Sequence, residues 1–241
     1  MVTQKLKRNM IIINSIFFVL MAVTDYLYIT KGNAYVFKTL ASSVFVLCGI
    51  VNILMMIKYR LVKNKKFYIL LMLGLCFAMA GDVLLIEHFI IGAVSFAIGH
   101  IFYFLSYLCL KKLSWLDLFL ALGVIAVSVL VILLAPLNFR GMMPLIMVYA
   151  VVISIMLSKS ISLFWGKNKK IAIICFVGSF MFFLSDLFLM IAMFSNIGRV
   201  MNILCLAFYY PAEIILAYTP SVVAILDEGN TEQKLDIQNI Q

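Results

Sequence analysis

Hydrophobic residues occur along this chain in long runs that are separated by short polar segments. A run of roughly 20 apolar residues is long enough to cross a bilayer as an α-helix. Because unpaired backbone groups cannot face lipid, each such run is predicted to be helical. The short connections between runs predict antiparallel neighbours. The eight predicted spans cover residues 10–29, 35–57, 67–87, 89–110, 115–135, 142–164, 170–193 and 199–224.

These spans occupy nearly the whole chain. We therefore expect one all-α domain of eight transmembrane helices over residues 1–225, followed by a polar, disordered cytoplasmic tail over residues 226–241. Composition agrees, because 66% of the 241 residues are hydrophobic, compared with about half in soluble domains. The first run also resembles a signal peptide. No small-residue cleavage site follows it, which favours a retained first helix.

Charge orients the predicted bundle. The formal net charge is +9, and the basic residues cluster in alternate polar segments. One set of segments holds 15 Lys and Arg residues, whereas the other holds Lys31, Arg140 and Arg199. The positive-inside rule then places both termini in the cytoplasm. We expect a multi-pass protein of the cell membrane. Since this distribution is a topology signal, nucleic acid is not an expected partner. The five cysteines form no CxxC pair and are interpreted as small apolar residues.

Two similar segments indicate an internal repeat. Gly74 precedes Asp82 by eight residues on the third span, and Gly178 precedes Asp186 by eight residues on the seventh. Spans one to four and five to eight would then be parallel repeats, an architecture known among transporters. The identities are few, and coincidence is the alternative explanation.

Ionisable residues inside the spans are candidates for function, because they are costly in lipid and usually face the bundle interior. Those that stand out are Asp25, Lys38, Asp82, His100, Asp186 and Glu213. Residues three or four apart share a helix face. By this spacing Asp82, Asp186 and Lys38 each extend a face that carries small or polar residues. His100 is aligned with Tyr103 on the fourth span, and Tyr209 with Glu213 on the eighth. Five such faces predict one shared cavity in the non-cytoplasmic half of the membrane.

The residue types restrict the chemistry of such a cavity. The chain has no GxSxG motif, no phosphate-binding loop and only two histidines, so a serine hydrolase or a three-histidine zinc site is not indicated. The sequence indicates a mixed metal site of His100, Asp82 and Asp186 only weakly. Two buried carboxyl groups suit acid–base catalysis, since burial raises the pKa of a carboxylic acid and a neighbouring carboxylate raises one of the two further. The alternative is that each aspartate is only a structural partner of a lysine or a tyrosine.

Six segments resemble successive signature regions of the lysoplasmalogenase (YhhN-type) family. In order they are FKTLASSVFVL, GLCFAMAGDVLLIE, GAVSFAIGHIFYFLSYL, VYAVVISIM, GSFMFFLSDLF and FYYPAEIILAY. The most specific parts are GD in the third span, GH-x-x-Y in the fourth, SD in the seventh and YY-x-A in the eighth. The chain departs from the family pattern at Thr39, where proline is common, and at Glu213, where glutamine is expected.

The resemblance implies an eight-helix membrane hydrolase that cleaves the vinyl ether bond of lysoplasmalogens, releasing a fatty aldehyde and a glycerophospho-base. Asp82 and Asp186 would be the catalytic acids, and no cofactor or metal is expected. Lys38, His100, Tyr103, Tyr209 and Glu213 would bind the lysophospholipid, with membrane lipids as the surrounding partners. Lys38 could equally pair with an aspartate. The rival hypotheses are a small proton-coupled transporter and a non-enzymatic lipid-binding protein.

Overall fold

The computed structural model describes residues 4–31 and 34–238, which form eight long α-helices and no strand. Each helix is long and apolar enough to span a membrane, as the sequence predicts. The helices are α1 (Gln4–Lys31), α2 (Ala34–Lys58), α3 (Lys65–Glu87), α4 (Phe89–Leu108), α5 (Trp115–Leu134), α6 (Met143–Ser162), α7 (Lys169–Phe194) and α8 (Gly198–Gln238), with a short 3₁₀ turn at Leu163–Trp165 after α6.

Polar residues at the helix boundaries explain where several helices begin. The side chain of Asn64 caps α3, and that of Asn168 caps α7. Ser114 and Asp117 form a capping box at the start of α5. In it, the backbone amide of Ser114 donates to Oδ2 of Asp117 at 2.6 Å. Gly141, in the connection between α5 and α6, has a φ of +83°, a conformation that glycine adopts without steric cost.

Six helices form a closed ring. Around it, α2 packs against α3, α3 against α4, α4 against α6, α6 against α7, α7 against α8, and α8 back against α2. Two helices lie outside the ring: α1 packs on α2 and α8, and α5 packs on α6. The inward faces of α2, α3, α4, α7 and α8 therefore meet in one interior, as the four-residue spacing of their polar residues predicts.

The packing pattern is similar in the two halves of the chain. The pairs α1–α2, α2–α3 and α3–α4 have counterparts in α5–α6, α6–α7 and α7–α8, and the contact of α2 with α8 has its counterpart in that of α6 with α4. Gly74 on α3 faces the ring of Tyr103 on α4, and Gly178 on α7 faces Leu216 on α8. Both glycines thus permit close helix packing at corresponding places. This correspondence supports the parallel repeat, which stays a prediction.

The last helix extends further than the predicted span. The sequence predicted a disordered tail from residue 226, whereas α8 continues to Gln238. The ammonium of Lys63 lies 2.8 Å from the carboxylate of Glu228, and it donates to the carbonyl of Asp227 at 3.4 Å. These contacts fix the helix against the segment before α3. Residues 239–241 lie outside the described residues.

Two buried polar contacts connect helices at other positions. Lys159 on α6 lies 2.9 Å from the Asp117 carboxylate on α5, and both side chains are buried. Asn14 on α1 and Asn52 on α2 exchange amide hydrogen bonds of 2.9 and 3.1 Å. Such satisfied polar pairs specify which helices are neighbours. Lys159 was counted among the 15 basic residues of the polar segments, whereas the structure places it inside α6; Asp117 was given no role.

Candidate functional site: two separately held aspartates and an apolar cavity

Asp186 on α7 is held by two ring side chains from other helices. The Tyr149 hydroxyl on α6 donates to Oδ2 of Asp186 at 2.6 Å, and Nε2 of His100 on α4 lies 3.1 Å from the same oxygen. His100 Nε2 also lies 2.9 Å from the Tyr149 hydroxyl. The three groups form a compact triangle in which one carboxylate oxygen receives both contacts.

The contacts of His100 indicate its tautomer. Because the Tyr149 hydroxyl uses its proton toward Asp186, Nε2 of His100 is the donor to both oxygens. Nδ1 is buried and has no hydrogen-bond partner among the described residues. A proton on Nδ1 would leave a buried donor unsatisfied, which is costly. The hydrogen-bond pattern therefore assigns the donor role to Nε2.

Asp82 on α3 has a different environment that includes a cation. The ammonium of Lys38 on α2 lies 3.4 Å from Oδ1 of Asp82, and the Ser42 hydroxyl donates to Oδ2 at 2.5 Å. Tyr209 on α8 interacts electrostatically with the same carboxylate. Its hydroxyl has no hydrogen-bond partner of standard geometry among the described residues. Lys38 and Asp82 are both buried, so each is the counter-charge of the other.

A common pattern relates the two aspartates. Each takes a partner from the helix that precedes it in the chain: Asp82 from α2, and Asp186 from α6. Each also faces the last helix of the other half, since Asp82 interacts with α8 and Asp186 with α4. The partners differ chemically, because α2 supplies an ammonium where α6 supplies a phenol.

Glu213 on α8 forms a separate buried contact with α4. It is fully buried, and its Oε2 accepts a 2.7 Å hydrogen bond from the Tyr103 hydroxyl on α4. Its carboxyl interacts electrostatically with both Asp82 and Asp186, whereas its Oε1 has no partner in the described part of the chain. Glu213 is thus a third acid of the bundle interior.

Aromatic rings separate the two aspartates. The Phe182 ring centre lies 4.6 Å from that of His100 and 5.3 Å from that of Tyr209. Phe96 packs edge-on against Phe182 and Tyr209. Within the described residues no hydrogen bond joins Asp82 to Asp186. The neighbours of Asp186 and those of Asp82 are therefore connected by packed aromatic rings.

A cavity of about 230 Å³ lies beside Asp186, between α4, α5, α6 and α7, with one further lining residue, Leu85, from α3. Its walls are apolar apart from Ser128, Tyr149 and Asp186. Asp82 is not among its lining residues, and its side chain is 3% exposed compared with 10% for Asp186. The remaining lining residues are Leu85, Phe89, Ala93, Phe96, Val127, Val131, Ile132, Leu145, Ile146, Ala150, Ile153, Phe183, Leu187, Leu189 and Met190.

Comparison with known proteins gives one family match. The family model described as "YhhN family" matches residues 33–219, which is more than half of the chain and includes both aspartates. The chain belongs to the YhhN family. This is the lysoplasmalogenase-type family that the sequence motifs indicate. No curated protein and no solved structure matches the chain.

The residues predicted for a YhhN-type site all lie in the bundle interior, but they form three groups rather than one cavity wall. Asp186 lines the cavity, with His100 behind it, and Lys38 pairs with Asp82. Tyr103 pairs with Glu213, and Tyr209 lies beside Asp82. None of His100, Lys38, Asp82, Tyr103, Tyr209 or Glu213 is a lining residue. The single cavity predicted from five polar faces is thus replaced by a cavity that reaches one acid.

Sequence reasoning missed Tyr149, the shortest contact of Asp186. Its segment, VYAVVISIM, carries part of the family resemblance, yet the hydroxyl was given no role. The available signal was a tyrosine near the middle of an otherwise apolar span, where a phenol needs a hydrogen-bond partner.

No group of three His, Cys, Asp or Glu side chains in the described part of this YhhN-family chain is placed to hold a metal ion. Thr39, a departure from the family pattern, lies inside a continuous α2 and donates to the carbonyl of Tyr35 at 2.7 Å.

Proposed function

We propose that this protein is a hydrolase of the cell membrane that cleaves the vinyl ether bond of lysoplasmalogens. The products are a fatty aldehyde and a glycerophosphoethanolamine or glycerophosphocholine. Membership of the YhhN family supports the proposal. The observation that carries it is Asp186, an acid that lines an otherwise apolar cavity, with 10% of its side chain exposed, and is held by Tyr149 and His100.

The proposed reaction begins with protonation of carbon. A protonated Asp186 gives its proton to the vinyl carbon β to the ether oxygen, and the π electrons of the double bond form the new C–H bond. An oxygen lone pair then stabilises the positive charge on the α-carbon as an oxocarbenium ion. The carboxylate left on Asp186 lies beside this cation, which is the arrangement expected to stabilise it.

Water completes the reaction. Its oxygen attacks the α-carbon while Asp186 takes up a water proton, so that the same residue acts first as acid and then as base. The resulting hemiacetal collapses: its hydroxyl proton leaves, the C=O bond forms, and the bond to the glycerol oxygen breaks. That oxygen takes up a proton. The balance is one vinyl ether and one water to one aldehyde and one alcohol.

Asp82 has a distinct role in this proposal. Because Asp82 is paired with the Lys38 ammonium, whereas Asp186 is held by a phenol and an imidazole, Asp82 is assigned as the charged carboxylate and Asp186 as the acid. Because Asp82 does not line the cavity, its charge acts through the low-dielectric interior rather than by contact with the substrate. Lys38, Tyr103, Tyr209 and Glu213 are positioning residues behind the cavity wall, and His100 orients Asp186.

The test is aldehyde release by detergent-purified protein. A vinyl-ether lysolipid should be hydrolysed, whereas its saturated alkyl-ether analogue should not, because only the vinyl ether can be protonated on carbon. An acyl analogue separates this activity from ester hydrolysis. Absence of aldehyde from the vinyl-ether substrate, with folded protein, would contradict the proposal. Proton-coupled flux in liposomes would instead support the transporter, and binding without turnover the lipid-binding protein.

A further inference from the structure

The shape of the cavity beside Asp186 suggests what it holds. Its inner wall consists of buried side chains, among them Phe96, Ala150 and Ile153. At its outer margin Val127 and Val131 of α5 line the cavity yet are 60% and 39% exposed. The cavity therefore runs from the lipid-facing surface of the bundle, beside α5, to the carboxyl group of Asp186.

The chemistry of the walls excludes a polar headgroup as the main occupant. No lysine, arginine or histidine lines the cavity, so a phosphate would find no counter-charge there. Its polar groups are already engaged, because Tyr149 donates to Asp186 and Ser128 hydrogen-bonds Ser154 at 2.9 Å. An apolar ligand leaves all of these contacts intact.

The size fits one hydrocarbon chain. The volume of about 230 Å³ exceeds the roughly 150 Å³ of a cavity that binds benzene. On α7 the lining residues run from Phe183 to Met190, a height of about 10 Å at 1.5 Å per residue. This accommodates a segment of a single extended chain, whereas a second chain would require the helices to separate.

We propose that this cavity binds the single hydrocarbon chain of the lysolipid, and that Ala93 and Ala150 set how much of the chain it accepts. The inference rests on the proposed function and locates its chain-binding site. In this proposal the hydrocarbon chain extends from Asp186 through the cavity and reaches the bilayer at Val127 and Val131. The first carbons of the chain then lie beside Asp186. Ala93 on α4 and Ala150 on α6 are the small residues of the wall, and larger side chains there would fill the space.

Discrimination at this site is steric. A chain that leaves the bilayer for the cavity exchanges one apolar environment for another, so little hydrophobic driving force remains. What the cavity contributes is close packing, and side chains that protrude into a packed site are poorly tolerated. Chain length should therefore affect turnover through fit.

The experiment compares Ala150→Leu and Ala93→Leu with Ala126→Leu, a matched control on the exposed surface of α5 that does not line the cavity. Each purified protein receives vinyl-ether lysolipids with short and long chains. The two cavity variants should lower kcat/KM for the long chain by about 10- to 100-fold more than for the short chain, a range typical of pocket fit. Ala126→Leu should leave that ratio unchanged. An unchanged ratio in folded Ala150→Leu and Ala93→Leu would overturn the inference.

A binding measurement separates this inference from the proposed function. A saturated alkyl-ether lysolipid with a fluorescent headgroup binds without being hydrolysed, and Ala150→Leu should weaken its binding about 10-fold or more. Suppose that wild type bound this probe, that Ala150→Leu weakened the binding, and that wild type released no aldehyde from the vinyl-ether lysolipid. The chain site would then stand and the proposed function would fail. If a diacyl phospholipid displaced the probe as well as a lysolipid does, the single-chain site would be wrong.

A second variant covers the case in which leucine prevents folding. Ala93→Cys can be prepared in a background that lacks the exposed Cys76, and alkyl methanethiosulfonates of increasing length can then modify it after folding. Longer adducts should progressively abolish probe binding. Full binding with the longest adduct would overturn the inference.

Discussion

The ammonium of Lys38 lies 3.4 Å from the carboxylate of Asp82, and both side chains are buried. The other intramembrane aspartate, Asp186, has the phenol of Tyr149 and the imidazole of His100 in place of a cation. Since Asp186 also lines the cavity, the two aspartates differ in charge partner and in access to a ligand. Substitutions at each aspartate and at its partners can test whether this difference divides their roles.

Asp186→Asn should abolish vinyl ether hydrolysis while the protein still folds. Asparagine keeps the shape and can accept from Tyr149, but it cannot donate a proton and carry the remaining charge. We expect kcat to fall by about two to four orders of magnitude, the range for loss of a general acid or base. Aldehyde release per folded molecule, with folding measured by thermal denaturation in detergent, checks this. Near-normal turnover would remove Asp186 from the reaction.

Asp82→Asn should affect both stability and turnover. It leaves the Lys38 ammonium buried without its counter-charge, which costs about 3–5 kcal/mol of unfolding free energy. The double variant Lys38→Met/Asp82→Asn removes both charges and should recover most of that stability. Its turnover should nevertheless stay about 100-fold below wild type, because the negative charge of Asp82 is absent. Recovery of both properties would show that Asp82 is a structural residue.

Tyr149→Phe should lower turnover by about one to three orders of magnitude, because Asp186 loses the 2.6 Å hydrogen bond that orients it. Tyr107→Phe is the matched control, since its hydroxyl is buried and hydrogen-bonded to Ser179 at 2.8 Å but does not contact either aspartate. The control should lose stability of the same order and keep its turnover per folded molecule. Equal turnover in the two variants would contradict the role of Tyr149.

Replacement of the positioning residues should have effects of a similar size. His100→Phe, Tyr103→Phe and Tyr209→Phe each remove a polar group that contacts or interacts with one of the three acids. We expect activity to fall by roughly one to three orders of magnitude in each. Steady-state kinetics on folded protein is the measurement. Full activity in all three variants would show that the acids act without these neighbours.

Gly74→Ala should destabilise the protein, because a Cβ atom there would overlap the ring of Tyr103. The expected cost is about 1–3 kcal/mol for overpacking, and displacement of the ring would also disturb the 2.7 Å hydrogen bond to Glu213. Gly123→Ala is the control, since nothing lies within 4 Å of its added Cβ. Detergent melting temperatures should fall for Gly74→Ala alone. An unchanged melting temperature would mean that the α3–α4 contact is looser than described.

Topology can be tested by labelling introduced cysteines in a background that lacks the five native ones. Lys65→Cys and Arg140→Cys are exposed positions that the charge distribution places on opposite sides of the membrane, with Lys65 cytoplasmic. Arg140 is preferable to Gly141, because it already carries a side chain at its φ of +48°, whereas a side chain at Gly141 would be new at a φ of +83°. Membrane-impermeant reagent added outside intact cells should label the second variant only. Labelling of both from one side would refute the eight-span arrangement.

The sequence alone determined the helices and their inward faces. The length and hydrophobicity of each run define a span locally, and the four-residue spacing around Asp82, Asp186 and His100 selects the face that avoids lipid. Both properties depend on residues that are close in the chain. For this reason the eight helices, and the burial of the polar residues on five of them, could be predicted without knowledge of neighbours.

The tertiary structure decided which polar groups meet. The sequence left open whether Lys38 pairs with a substrate phosphate, Asp82 or Asp186. The packing of α2 against α3 brings it to Asp82, and the packing of α6 against α7 brings Tyr149 to Asp186. The cavity likewise depends on how five helices fit together around small residues. Contacts between helices are set by side chains far apart in the chain, and the periodicity of one helix carries no information about its neighbours.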